Sequence, residues 1–301
     1  FMQRKSEWRG KNRYILNCRR LHPTTADGAP PEPLEAPPEQ FVSDLLRRVM
    51  KLQADGVLEG GGSAALVEFL DGTAQLRWLD LSGPGDPSER LALFLNLYHV
   101  LLMHAHLLVG PPGSALKAAS YFNSLSYEVA GDVLSLAELE HGVIRAPLSA
   151  PRQCLSKFFL PSERYAFALT APEPRVSFAL NCGSESGVRG IAVYRGADVD
   201  RQLDLMSAYF LAATVEVAPA RLAVTLPRVL AWFQADFGRT PLDALRAILK
   251  YMTGTKYNAL VALLAAADTT PITIKHSHFS WRCRTLELVS TEELRALGAL
   301  P

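Results

Sequence analysis

A thiol that attacks a carbonyl carbon needs an imidazole to take its proton. It also needs a third group to hold that imidazole in one tautomer. The sequence offers one such set: Cys182, His141 and, as the orienting group, Asn96 or Glu140. Cys182 lies in Arg175-Val-Ser-Phe-Ala-Leu-Asn-Cys-Gly183, where the apolar run predicts a buried strand that delivers an Asn-Cys-Gly turn. Gly183 would let the backbone turn sharply and a substrate come close. Tyr98, His99, Arg145, Asn181 and Gly183 are the expected pocket-lining residues. The chemistry is hydrolysis or transfer at an amide or isopeptide bond, of the papain or transglutaminase kind, although His before Cys differs from the order in those enzymes. The same residue types also suit a small core cysteine and a hydrogen-bonded histidine at a helix end.

Other polar clusters are weaker. Asn96, His99, Met103 and His106 share one helix face. Two helical turns separate His99 from His106, about 10 Å, too far for one metal without outside ligands. His276 and His278 alternate onto one face but have no further acidic or cysteine neighbour. Gly60-Gly-Gly-Ser63 is followed by no Lys-Ser/Thr, which excludes a phosphate loop. The four cysteines, Cys18, Cys154, Cys182 and Cys283, fit no metal spacing. No metal or cofactor is therefore expected. Four reduced thiols indicate an intracellular, reducing compartment, cytoplasmic by default.

With 301 residues, 49% hydrophobic and 20% charged, and a net charge of +1, the whole chain has no strong electrostatic claim on nucleic acid or anionic membrane. Its first 22 residues differ: Arg4, Lys5, Arg9, Lys11, Arg13, Arg19 and Arg20 face a single acid, Glu7, with Trp8 and Tyr14 interleaved. This predicts a basic arm, either solvated or gripping RNA or an acidic protein surface. Its partner-binding residues would be Arg4, Lys5, Trp8, Arg9, Lys11, Arg13, Arg19 and Arg20. Pro23 to Pro38 reads as a linker, so residues 1–39 form arm and linker and residues 40–301 the folded domain. No secretory signal is read, and Phe1 in place of Met leaves any upstream signal or domain open. The apolar run Leu91 to Val109 approaches membrane-spanning length. Its Asn96, His99, His104 and His106, with soluble-type caps, predict a core helix and no membrane span.

Around that helix the remaining elements fall into an α+β pattern. An amphipathic helix starts near Gln40, and Ser63 is placed to cap a second. Asp86-Pro-Ser88 opens the central helix and Gly110-Pro-Pro-Gly113 closes it. A small hairpin turns at Gly131-Asp132, and Ser135 with Glu138 forms a capping box ahead of Glu140 and His141. Ile191–Tyr194 reads as a strand, and two strands bracket Ala218-Pro-Ala220. Helices cover most of Pro227 to Ala266, Pro271–Lys275 is a late strand, and Ser290 caps a final helix. The expected fold is a single, mostly helical α+β domain around a long buried helix, with a small mixed sheet.

Five segments, in order, resemble the domain of unknown function 547 (DUF547) family. Leu91-Ala-Leu-Phe-Leu-Asn-Leu-Tyr-His-Val100 is similar to its Asn-x-Tyr-Asn helix, and Ser135 to Arg145 to its Glu-His-Gly-Ile-Leu-Arg segment. Phe178-Ala-Leu-Asn-Cys-Gly183 is similar to its Phe-Ala-Leu-Asn-Cys-Gly strand. Val229 to Gly238 and Ile274 to Trp281 resemble its closing elements. The resemblance runs from about Phe41 to Leu286. It implies one domain after the linker, no settled activity, and an adapter role beside interaction segments. The chain departs from the pattern twice. His99 stands where the family has Asn, and Ser184 to Gly190 lacks the family's second cysteine, which sets aside chemistry needing two sulfurs. The function expected first is thus a protein-interaction or structural domain, with the cysteine-dependent hydrolase or transferase as the alternative.

Overall fold

The computed structural model describes residues 4–8, 11–19, 36–56, 64–83, 85–150, 165–267 and 269–298. The Pro-rich stretch between residues 20 and 35, Ser63 and Cys154 lie outside them. Its contacts gather into two compact units, where the sequence reading takes residues 40–301 together. The first comprises residues 1–146, 159–171 and 193–199, and the second residues 147–158, 172–192 and 200–301.

In the first unit, the segment expected to be a free arm is a hairpin. Strand β1 (Arg4–Trp8) pairs antiparallel with β2 (Lys11–Ile15), and Tyr14 and Ile15 of β2 pair parallel with β3 (Leu125–Val129). β3 pairs antiparallel with β4 (Asp132–Ser135), so the sheet order is β1-β2-β3-β4. Alternation along β2 buries Arg13 and Ile15 and exposes Tyr14. A buried guanidinium needs a partner, and Arg13 has the Glu138 carboxylate and the Asn123 carbonyl.

Helix α1 (Pro38–Ala54) turns Val42, Leu45, Leu46 and Val49 inward, and α2 (Ala64–Gln75) lies against it. Their close approach uses Gly72, where an added Cβ would stand 2.7 Å from Leu45 Cδ2. Helix α3 (Pro87–Val109) starts where Asp86 accepts from the Ser88 and Glu89 amides at 2.7 and 3.1 Å, and it stops at Gly110. Protein surrounds it, and every residue from Ala92 to Ala105 is buried, Asn96, His99 and His104 included. Among the described residues it is the one helix long and apolar enough to cross a membrane. Some 78% of its most apolar window is buried within the protein. After α4 (Ala115–Ser124) and the β3–β4 hairpin, the capping box of Ser135 and Glu138 opens a short α5 (Leu136–Glu138). The chain then widens into a π-helix, Leu139–Ile144.

The second unit corrects one expectation. Val176–Ala179 is a helical turn, α6, and not a strand. Short apolar runs do not separate the two states by pattern. Pro172 and Pro174, whose rings preset a helix-like φ, are the signal that favours the turn. Its core is aromatic, with Phe178 stacked 5.4 Å from Phe210 and 5.2 Å from Phe237. Strand β5 (Gly190–Ala192) runs parallel to β9 (Glu287–Val289). β6 (Glu216–Ala218), β7 (Ala223–Leu226) and β8 (Thr273–His276) form a second sheet. Helices α7 (Val199–Thr214), α8 (Arg228–Trp232), α9 (Gln234–Phe237), α10 (Pro241–Ile248), α11 (Gly254–Ala266) and α12 (Thr291–Gly298) complete the chain. Arg175 ties the start of α6 to α7 through Glu173, Asp200 and Asp204 at 2.6 to 2.7 Å, and these acids raise its pKa further. Many helices with small mixed sheets make the fold α+β, as expected.

Candidate functional site

In the second unit the Asn181-Cys182-Gly183 turn follows α6 and is organised by Asn181. That side chain is 8% exposed. Its amide donates to the carbonyls of Val188 (2.8 Å) and Gly190 (3.2 Å), while its Oδ1 accepts from the Gly183 amide at 3.0 Å. Gly183 takes φ +79°, a conformation that costs other residues energy. Asn181 is therefore the turn's internal brace rather than a pocket wall. Cys182, held between these two residues, is a half-buried reduced thiol.

In the first unit His141 lies in the π-helix with its side chain 19% exposed, and its Nε2 is 3.9 Å from Glu140 Oε1. Burial lowers its pKa; Glu140 works against the shift and Arg145 adds to it. The ring is thus neutral at pH 7 and able to accept a proton. Arg145 is 3% exposed, and its amide closes the π-turn on the Glu140 carbonyl at 2.8 Å.

Three expected site residues belong to the core instead. Asn96 is fully buried and spends its amide on one peptide: Nδ2 donates to the Tyr194 carbonyl at 2.8 Å, and Oδ1 accepts from the Tyr194 amide at 2.9 Å. It mimics a strand partner for the 193–199 segment and is not an orienting group for His141. Tyr98 and His99 are 1% and 0% exposed and line no solvent-reached pocket. Burial lowers the His99 and His106 pKa values to about 4 and that of His104 to about 3. A further polar pair escaped the sequence reading: His104 Nδ1 and the Tyr127 hydroxyl share a buried hydrogen bond of 2.6 Å. Tyr127 sits in alternating apolar company, and only tertiary pairing brings it to α3.

The groove described in the first unit, about 320 Å³, lies between α1 and α2 and is lined by Phe41, Leu45, Arg48, Glu68, Asp71 and Gln75. It contains none of the predicted site residues. Of the basic residues, Arg13 is buried and Arg19 pairs with Asp71. Arg9 and Arg20 lie outside the described residues, and Arg4, Lys5, Trp8 and Lys11 are placed on β1 and β2 by their backbone alone. His276 has its pKa lowered by burial and by Arg228. No group of three or more His, Cys, Asp or Glu able to hold a metal gathers among the described residues.

The family described as "Protein of unknown function, DUF547" matches residues 85–211, the family that the sequence motifs resemble. The matched stretch contains the α3, capping-box and Asn-Cys-Gly motifs, while Val229–Gly238 and Ile274–Trp281 lie beyond it. No curated protein and no solved structure matches the chain.

Proposed function

We propose that this chain, with its DUF547 segment, is an intracellular protein-interaction or structural domain, in a reducing and by default cytoplasmic compartment. One observation carries this reading: Asn96, the polar residue of the DUF547 helix motif, has both arms on the Tyr194 peptide. The motif then serves the fold, as do the buried Tyr98 and His99. The partner-facing element would be the basic hairpin, with Arg4 and Lys5 on its outer strand β1, and the partner an acidic protein surface. RNA would compete for the same charge, with an affinity falling steeply as salt rises.

The second reading is a cysteine-dependent hydrolase or transferase at an amide or isopeptide bond. Cys182 would be its nucleophile, His141 its base and Glu140 the orienting group. The half-exposed thiol on a braced glycine turn and the neutral ring beside Glu140 favour it.

Iodoacetamide alkylation of Cys182 as a function of pH separates the two. The interaction reading expects a rate that rises with an ordinary thiol pKa near about 8.5. An inflection below about 7 that disappears in His141→Ala would replace it with the hydrolase. Binding of poly-glutamate should weaken in Arg4→Glu/Lys5→Glu with the fold intact. Unchanged binding sinks the hairpin's role, and tighter binding of oligouridylate than of poly-glutamate transfers that role to RNA.

A further inference from the structure

Within the second unit, the loop that follows Cys182 is stitched to the segment that contains Cys283. Ser184 and Cys283 form an antiparallel bridge. The Arg284 amide donates to the Gly183 carbonyl at 2.8 Å, and the Glu185 amide to the Arg282 carbonyl at 2.9 Å. Those two bonds flank the bridge, so Ser184 and Cys283 are a non-hydrogen-bonded pair, the kind with the closer side chains. Serines fasten the crossing further. Ser184 Oγ donates to the Ser280 carbonyl at 2.6 Å, and the Ser280 amide donates to Ser186 Oγ at 2.7 Å. Cys182 thus comes one residue before Gly183, whose carbonyl accepts from the amide of Arg284, the residue after Cys283. Both thiols are half-buried and reduced, within reach of small oxidants.

We propose that Cys182 and Cys283 are a reversible disulfide site oxidised by hydroperoxides. No second cysteine stands in the Ser184 to Gly190 run that follows Asn-Cys-Gly. The chain supplies it from about a hundred residues away, through the bridge. In the first step the Cys182 thiolate attacks peroxide: an S–O bond forms, the O–O bond breaks, and hydroxide leaves as water, giving the sulfenic acid. In the second the Cys283 thiolate attacks that sulfur: the S–S bond forms, the S–O bond breaks, and a second water leaves with the thiol proton. Two electrons pass from the sulfurs to one peroxide.

The test treats the full chain with hydrogen peroxide, blocks remaining thiols, and maps the peptides by mass spectrometry. The expected product is a Cys182–Cys283 cross-linked peptide, about 2 Da lighter than the pair and restored by dithiothreitol. In Cys283→Ser, trapping of Cys182 sulfenic acid by dimedone should rise several-fold because nothing resolves it. Ser184→Cys is the positive control, since it sets a thiol directly opposite Cys283 and should cross-link to it. Dimedone labelling of Cys182 at equal levels in the wild-type chain and Cys283→Ser would overturn the proposal. So would a wild-type cross-link that joins Cys182 to Cys18 or Cys154. Near-UV circular dichroism of each variant confirms the fold.

Discussion

Lowering the pH from 7 to 5 should strip stability from this protein chiefly through α3, and His104 is where the effect can be isolated. The ring is 0% exposed, shares its Nδ1 with Tyr127, and has a pKa lowered to about 3 by burial. In the unfolded chain an imidazole titrates near about 6.5. The folded pKa is the lower one, so the unfolded state takes up the proton first. Stability falls as pH drops through 6.5 and keeps falling until about 3, where the folded state titrates too. Linkage puts the loss between pH 7 and pH 5 at about 2 kcal/mol for one such residue. His99, fully buried with a pKa of about 4, adds a similar amount. The informative variant is His104→Gln, which still offers Tyr127 a hydrogen-bonding partner but cannot titrate. Urea unfolding followed by circular dichroism at pH 7, 6 and 5 gives the comparison. The wild-type chain should lose about 2 kcal/mol more than His104→Gln over that interval. Equal losses in the two proteins, or an NMR titration of His104 centred near 6.5, would refute the argument that α3 holds this ring dry and neutral.

Asn96→Ala should destabilise by about 2–5 kcal/mol, read as a lower urea midpoint, because it leaves the buried Tyr194 amide and carbonyl both unpaired. Arg13→Met should cost about 3–5 kcal/mol, since it removes the guanidinium that pairs with the Glu138 carboxylate, 5% exposed. A loss below about 1 kcal/mol would return Arg13 to the surface. Gly72→Ala brings a methyl to 2.7 Å from Leu45 Cδ2, the far end of that side chain, and gains about 1 kcal/mol of helix propensity, so thermal unfolding should shift by no more than the equivalent of about 1 kcal/mol. Gly183→Ala should cost about 1–2 kcal/mol through its φ of +79° and speed alkylation of Cys182 by loosening the turn.

Local physics was legible where it decides the outcome. Asp86, Ser135 and Ser290 all cap the helices whose starts they announce, because capping needs only a side-chain oxygen and amides two or three residues on. The Gly131 hairpin and the burial of α3 follow from equally short-range patterns. What failed depends on distant residues. A run of arginines and lysines looks solvated until β2 finds β3 and Arg13 finds Glu138, 125 positions away in the chain. Val176–Ala179 reads as a strand until no strand pairs with it. Of the candidate site, the Asn-Cys-Gly turn could be foreseen as a turn. Asn96 could not be foreseen as a brace, because its partner is a backbone peptide 98 positions away and any residue supplies a peptide.

Glu138 shows why the N-terminal hairpin and the candidate base are one problem. Its Oε2 accepts from the Ser135 amide at 2.9 Å, completing the capping box, while its Oε1 holds Arg13. One carboxylate thus fixes where α5 begins and anchors β2 to it. The π-helix with Glu140 and His141 starts at the next residue. A π-turn has poorer hydrogen-bond geometry than the α-helix it interrupts, so it persists where both of its ends are pinned. Here the upstream pin is the Arg13–Glu138–Ser135 group, and the downstream end is the buried Arg145. Basic residues that look like a detachable tether are, at Arg13, part of the frame that sets the ring of His141 beside Glu140. Removing the first 38 residues to probe partner binding would therefore disturb the candidate base as well.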